Sequence, residues 1–156
     1  MKTKEDFMRE ALREAQKARD LEEVPIGCVI VKDGEIIGRG YNQVESREDP
    51  TCHAEMVAIR QAVGQVVSWR LVDCDIYVTL EPCPMCMGAI LSARLDKLYI
   101  GAKNPRYGAC GSVLDLTNYQ AFNHAIQVEK GLLQEEAGQM MRDFFRDLRK
   151  KKQGEA

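Results

Sequence analysis

The sequence lacks an apolar run of membrane-spanning length, and its start lacks the charged-then-apolar pattern of a signal peptide. It also lacks a net charge of one sign, since 22 basic residues stand against 24 acidic ones. A nucleic-acid partner would therefore have to be met by a local basic patch and not by overall charge. We expect a cytoplasmic protein that does not associate with membranes.

The chain offers no internal repeat, low-complexity tract or linker. Its 156 residues, 45% of them hydrophobic, can bury one good core but leave no room for a second domain of ordinary size. We expect a single domain over residues 1–156, with a basic helix end from about residue 142.

Six cysteines do not form a recognisable disulfide framework. Four of them are scattered singly, and without a secretion signal the compartment is expected to be reducing, so disulfides are not expected. Those four are Cys28, Cys52, Cys74 and Cys110. The other two, Cys83 and Cys86, stand three positions apart in the segment Pro82-Cys83-Pro84-Met85-Cys86.

Hydrophobic periodicity predicts alternating strands and helices. An amphipathic helix over 5–21 precedes a buried strand over 26–31, which a turn joins to an antiparallel strand over 35–41. Further along we expect helices over 53–62 and from 84 to about 94, strands over 75–80, 96–101 and 125–128, and a final helix whose Met and Phe stripe is core. A strand, helix and strand in succession predict parallel pairing through a right-handed crossover.

The segment from Pro82 to Cys86 lies where an apolar strand meets a helix. Pro84 suits a first helical position, and residues three apart share one helix face, so the Cys83 and Cys86 thiols should lie side by side. A helix N-terminus favours their ionised form. This arrangement predicts a metal site.

Two thiolates do not complete a zinc shell, and His53-Ala54-Glu55, at another helix start, supplies the obvious third ligand. A single histidine is usually structural, but His53 has Glu55 and the later cysteine pair beside it in the spacing of the zinc deaminase signature. A zinc ion with three protein ligands keeps its fourth position for water and lowers that water's pKa. Because residues two apart differ by about 200° around a helix, Glu55 should face the water and substrate and act catalytically.

These motifs, with the segments around them, resemble the bacterial tRNA-specific adenosine deaminases of the cytidine deaminase superfamily. The resemblance covers nearly the whole chain, and the further segments that carry it are Val24–Gly27, Asn42, Asp49–Thr51, Gly101-Ala102, Gly108–Ser112 and Phe122-Asn123-His124. The zinc motif alone marks the superfamily, whereas the flanking segments indicate the tRNA branch.

The resemblance implies an α/β fold, a cytidine-deaminase-like three-layer sandwich in which helices cover both faces of a five-stranded mixed sheet. It also implies one Zn²⁺ per subunit, a homodimer, and hydrolysis of adenosine to inosine at the wobble position of a tRNA anticodon stem-loop. Asn42 would contact the target nucleoside, Ala54 would offer a backbone group to the base, and Asn123 would bind substrate. From residue type alone, Asn42 is a turn residue.

Two basic segments are candidates for contact with RNA. The loop from Lys103 to Ser112 carries Lys103 and Arg106 with an aromatic ring, which suits phosphate and base, although an ordinary solvated loop is the alternative. The span from Arg142 to Lys152, which includes Arg149, holds six basic and two acidic residues. It is either an RNA-binding patch or a solvated helix end.

Asn104 departs from the resemblance, because that family commonly has Asp at this position. An amide accepts hydrogen bonds more weakly than a carboxylate and does not repel phosphate, so we predict weaker discrimination between RNA and DNA. The alternative is a residue that merely shapes the turn.

Two other functions remain compatible with the sequence. A cytidine, deoxycytidylate or guanine deaminase of the same superfamily would carry the same zinc motif. A non-catalytic zinc-binding module is the other alternative, but a structural site normally has four protein ligands and only three are in view here.

Overall fold

A computed structural model describes residues 1–119 and 122–154. Its five-stranded mixed sheet has the order β2-β1-β3-β4-β5. The strands are β1 (Gly27–Lys32), β2 (Glu35–Tyr41), β3 (Cys74–Leu80), β4 (Lys97–Ala102) and β5 (Gln127–Lys130). The helices are α1 (Lys4–Asp20), α2 (Val44–Arg47), α3 (Ala54–Val66), α4 (Pro84–Ser92) and α5 (Gln134–Gly154).

The pairing of the strands confirms the predicted hairpin and the predicted parallel crossover. β1 is antiparallel to both β2 and β3, whereas β3, β4 and β5 run parallel. The α/β class is confirmed, and the two parallel strands β3 and β4 end at the same edge of the sheet, at Leu80 and Ala102.

Alternate side chains of the central strands enter two apolar layers, as the pleat requires. Ile76 and Val78 pack with α3 and α4 on one face, whereas Tyr77 packs with α1 on the other. α5 covers that second face next to β3 and β4. The helices therefore cover both faces, as predicted.

Several elements differ from the sequence expectations. β5 begins and ends two residues later than the predicted strand over 125–128, and the helix predicted over 53–62 continues to Val66. α2 was not predicted, because four residues are too few to show a periodic pattern. The stripe of α5 is also not wholly core, since Phe145 is 38% and Leu148 37% exposed and Met140, Met141 and Phe144 are only partly buried. An amphipathic pattern marks one face of a helix, and the sheet covers only the beginning of this one, where Ala137 is buried.

Within the described ranges, no helix is both long enough and apolar enough to span a bilayer.

Candidate active site

The site lies where two helices begin, beyond the carboxyl end of β3. Leaving that strand, the chain passes through Glu81 and Pro82 to Cys83, which is the N-cap of α4, and Pro84 takes the first helical position. His53 is the N-cap of α3. Neither side chain caps its own helix, so both are free to point at each other.

Three potential metal ligands meet between these helix starts. The Nδ1 atom of His53 lies 3.6 Å from the Sγ atom of Cys83 and 3.5 Å from the Sγ atom of Cys86. In a tetrahedral zinc site, bond lengths of about 2.1 Å to nitrogen and 2.3 Å to sulfur place such atoms about 3.5 Å apart. The donor set and its spacing therefore fit a zinc ion.

The electrostatics of the three side chains favour at least one thiolate. Hydrogen bonding from Cys86, opposed by burial and helped by His53, lowers the pKa of Cys83 to about 4. The same contact with Cys83, together with burial, raises the pKa of the Cys86 thiol. The pKa of His53 is raised by its hydrogen bond to Cys83, against the opposite effect of its partial burial. The three side chains therefore share protons through their mutual contacts. A bound cation would displace those protons.

Glu55 is the carboxylate next to this group. It is only 4% exposed, and burial raises its pKa to about 7, with a bond from its own backbone N–H acting in the opposite direction. Cys83 raises this pKa further, whereas His53 lowers it. A carboxyl group whose pKa lies near neutrality can both accept and donate a proton under ordinary conditions.

Comparison with known proteins agrees with this geometry. Residues 1–102 match the cytidine and deoxycytidylate deaminase zinc-binding region. The tRNA-specific adenosine deaminase of Bacillus subtilis is 47% identical over 146 residues, which cover 94% of this chain and 91% of that protein. This chain belongs to the tRNA-specific adenosine deaminase family.

Two solved structures are similar to this family member. One comes from work on A-to-I editing by tRNA:A34 deaminases and has a TM-score of 0.83 at 42% identity, covering 86% of this chain and 97% of that one. The guanine deaminase of Bacillus subtilis has a TM-score of 0.63 at 41% identity, covering 65% of this chain and 66% of that one. The structures similar to this chain thus include a deaminase that acts on guanine, which is a purine like adenine.

Two of the predicted substrate-binding residues are linked to the segment that carries His53, Ala54 as its next residue and Asn42 through a backbone bond of its neighbour Gln43. Ala54 is fully buried and begins α3. Asn42 follows β2, and its neighbour Gln43 donates its backbone N–H to the carbonyl of Cys52. The Asn42 amide donates to the Val24 carbonyl and accepts from the Val44 N–H, each at 3.4 Å. These are long bonds, so the side chain is held in place but weakly engaged.

The loop after β4 brings three further candidates to the same edge of the sheet. Lys103 and Arg106 are exposed. The Oδ1 atom of Asn104 accepts the N–H groups of Arg106 and Tyr107 at 3.3 and 3.1 Å, and its Nδ2 atom donates to the Glu81 carbonyl at 3.4 Å. Asn104 shapes the turn, and its influence on RNA preference stays a prediction.

The structure places Asn123 shortly before β5 and Arg149 on α5. The neighbour of Asn123, His124, contacts the Leu95 carbonyl at 2.6 Å, at the amino ends of the parallel strands and therefore opposite the site. Arg149 is exposed on the last turns of α5. Within one chain Asn123 thus lies towards the opposite edge of the sheet, and its role in substrate binding stays a prediction.

The sequence reading missed Glu81, a buried carboxylate between β3 and the cysteines. A signal was present, because an acidic residue directly after an apolar strand has to find hydrogen-bond donors if it is buried. The identity of those donors could not be read from the sequence.

Proposed function

We propose that this protein is a zinc-dependent deaminase that converts adenosine to inosine at the wobble position of a tRNA anticodon. The observation that carries the proposal is the buried Glu55 beside the His53, Cys83 and Cys86 group. The close relationship to tRNA-specific adenosine deaminases supports the choice of substrate.

His53, Cys83 and Cys86 would hold one zinc ion in each subunit. Three protein ligands leave one position open, as in catalytic and unlike structural zinc sites. When bound, the ion supplies a water molecule of lowered pKa close to neutrality.

Glu55 would move the protons of the reaction. Hydrolytic deamination forms a bond from a water oxygen to C6 of adenine and breaks the bond from C6 to the exocyclic nitrogen. The water supplies both protons: one must reach the ring nitrogen beside C6, and the other must reach the departing nitrogen, which leaves as ammonia. A buried carboxyl with a pKa of about 7 is suited to carry each of them in turn.

The other candidates would hold the nucleic acid around this centre. Asn42 and the backbone at Ala54 would contact the adenine nucleoside, whereas Lys103, Arg106 and the exposed end of α5 around Arg149 would contact the anticodon stem-loop. We also infer that the protein is a homodimer. We infer a cytoplasmic location because its proposed substrate, tRNA, is found there.

A specific observation keeps one alternative open, because a guanine deaminase shares 41% identity over part of the chain. Three anticodon stem-loops with adenine, cytosine or guanine as the first anticodon base would separate the reactions. Nucleoside analysis by mass spectrometry should find inosine from the first and no product from the others. Free cytidine, deoxycytidylate and guanine are assayed beside the stem-loops, because these are the substrates of the alternative deaminases. Uridine, deoxyuridylate or xanthine would support those alternatives, and no product from any of these compounds would support a non-catalytic zinc module.

A further inference from the structure

Glu81 is a buried charge that the proposed mechanism does not use. It lies two residues before Cys83 and is 4% exposed. Its backbone N–H donates to the Ala102 carbonyl at 2.9 Å, which fixes it between the ends of β3 and β4. A carboxylate at this depth needs donors that compensate for lost water.

Within residues 1–119 and 122–154, every hydrogen-bond donor to the Glu81 carboxylate comes from the loop over residues 103–112. One oxygen accepts the Asn104 N–H at 3.2 Å and the Ser112 hydroxyl. The other accepts the Cys110 N–H at 2.9 Å and the Ser112 N–H at 3.2 Å. Four hydrogen bonds from this loop thus compensate the buried carboxylate for its lost water.

The loop is shaped to admit this carboxylate. A Cβ atom at Gly108 would lie 2.4 Å from the nearer carboxylate oxygen and 2.5 Å from the Asn104 carbonyl. Only glycine allows so close an approach. In addition, Ala109 donates its N–H to the Pro82 carbonyl at 2.8 Å. The loop is therefore bonded both to the Glu81 side chain and to the backbone of the next residue.

We propose that Glu81 is a positioning residue that holds the loop over residues 103–112 in register with the metal-ligand segment from Cys83 to Cys86. The same short stretch of chain thus fixes two thiols and, through one carboxylate, the backbone that carries Asn104 and Arg106. Substrate placement against the reacting centre then depends on Glu81, although Glu81 touches neither substrate nor metal. This role rests on the proposed function.

The first test replaces Glu81 by glutamine, which keeps the shape of the side chain. The amide has one acceptor oxygen in place of two, and its NH₂ group would face N–H donors. Loss of charged hydrogen bonds should speed hydrogen exchange at the Asn104, Cys110 and Ser112 amides by about tenfold or more. Exchange in α3 and the zinc content should stay as in the wild type.

The kinetic expectation is a split between binding and chemistry. In Glu81→Gln, KM for an adenine anticodon stem-loop should rise by about tenfold while kcat changes by less than about threefold. Ser112→Ala, on an exposed residue, should shift KM in the same direction by less. Because the two groups touch, the double variant should depart from the product of the single effects.

Glu14→Gln is the matched control. Glu14 is also a buried carboxylate, 3% exposed, but it pairs with Lys17 and Arg39 between α1 and β2. The Glu14→Gln variant should change neither hydrogen exchange in the loop over residues 103–112 nor KM for the stem-loop, even if its free energy of unfolding changes.

Two results would overturn the proposal. Unchanged exchange at the three amides would mean that Glu81 does not hold the loop. Lost zinc, or a lower kcat at unchanged KM, would place its effect in the metal-ligand segment instead. A wild type that makes no inosine would refute the proposed function alone, since exchange and zinc content would still show whether Glu81 holds the loop.

Discussion

Replacing Gly40 by alanine tests how the metal site depends on the packing of α3 against β2. A Cβ atom at Gly40 would lie 2.2 Å from the Ala54 carbonyl oxygen and 2.7 Å from the Ala58 nitrogen. Both are backbone atoms of α3, so no side chain can rotate away. The start of the helix would have to move by roughly 1 Å to restore van der Waals contact.

That displacement acts directly on the site, because Ala54 lies between His53 and Glu55. Overpacking of this kind costs about 1 to 3 kcal/mol, and the upper end is expected where the clash is with backbone. For a chain of this length, about 3 kcal/mol lowers Tm by roughly 6 to 12 °C. A shift of His53 relative to the two thiols should also weaken zinc binding.

Thermal unfolding and metal analysis of the purified variants provide the assay, with Gly64→Ala as the matched control. Gly64 lies in the same helix with open space around its α-carbon, and alanine there should stabilise by about 0.5 to 1 kcal/mol without changing zinc content. If Gly40→Ala melted and bound zinc like the wild type, the close packing of α3 on β2 would not control the site.

Three further predictions concern the proposed site and its RNA contacts, and a fourth, the homodimer, comes from the family resemblance. Cys83→Ser should lower zinc content, whereas Glu55→Ala should keep zinc and lose turnover; equal zinc loss would contradict the division of roles. The protein should be a homodimer, and a monomer mass in sedimentation at micromolar concentration would count against it. Removing residues 149–156 should weaken RNA binding and flatten its salt dependence by roughly one to three units of slope, whereas an unchanged slope would make the helix end a solvated one. Asn104→Asp should raise the preference of turnover for RNA over matched DNA hairpins by up to about tenfold, and an unchanged ratio would leave Asn104 as a turn residue.

The structure adds a physical detail to two of these tests. An aspartate at position 104 keeps both turn-forming acceptances and loses only the donor to the Glu81 carbonyl, so the turn itself should survive. In the helix end, Lys151 pairs with Glu22 at 2.9 Å, whereas Arg149, Lys150 and Lys152 form no ion pair within residues 1–119 and 122–154. Residues 155 and 156 lie outside the described part of the chain.

Local patterns explain which parts of the fold could be predicted. The hairpin of β1 and β2 and the entry of β3 into α4 depend on neighbouring residues, namely a short turn in the first case and Pro84 with the cysteine spacing in the second. The grouping of His53, Cys83 and Cys86 was predictable because His53 and Cys83 each stand at a helix start and Cys86 follows Cys83 at a known spacing. Their convergence needed only two such helix starts at one sheet edge.

Long-range hydrogen bonds explain what could not be predicted. α2 is held by Glu23, whose carboxylate accepts the Glu45 and Ser46 N–H groups 22 and 23 positions later. Glu81 likewise reaches donors 23 to 31 positions along the chain. A sequence shows that such a carboxylate exists but not which loop folds back on it. The prediction that the apolar stripe of α5 is core was wrong for a related reason. Periodicity shows which face of a helix is apolar but not how far a sheet extends beneath that face.

The central claim is that Glu55 and the His53, Cys83 and Cys86 group deaminate one particular adenosine. The most direct measurement incubates the zinc-loaded protein with an anticodon stem-loop that carries adenine at the first anticodon position and other adenines in the loop, followed by mapping of inosine to its position. We predict inosine at the first anticodon position alone, and none with the Glu55→Gln variant carrying the same zinc. Unmodified RNA, or inosine spread equally over the loop adenines, would contradict the account.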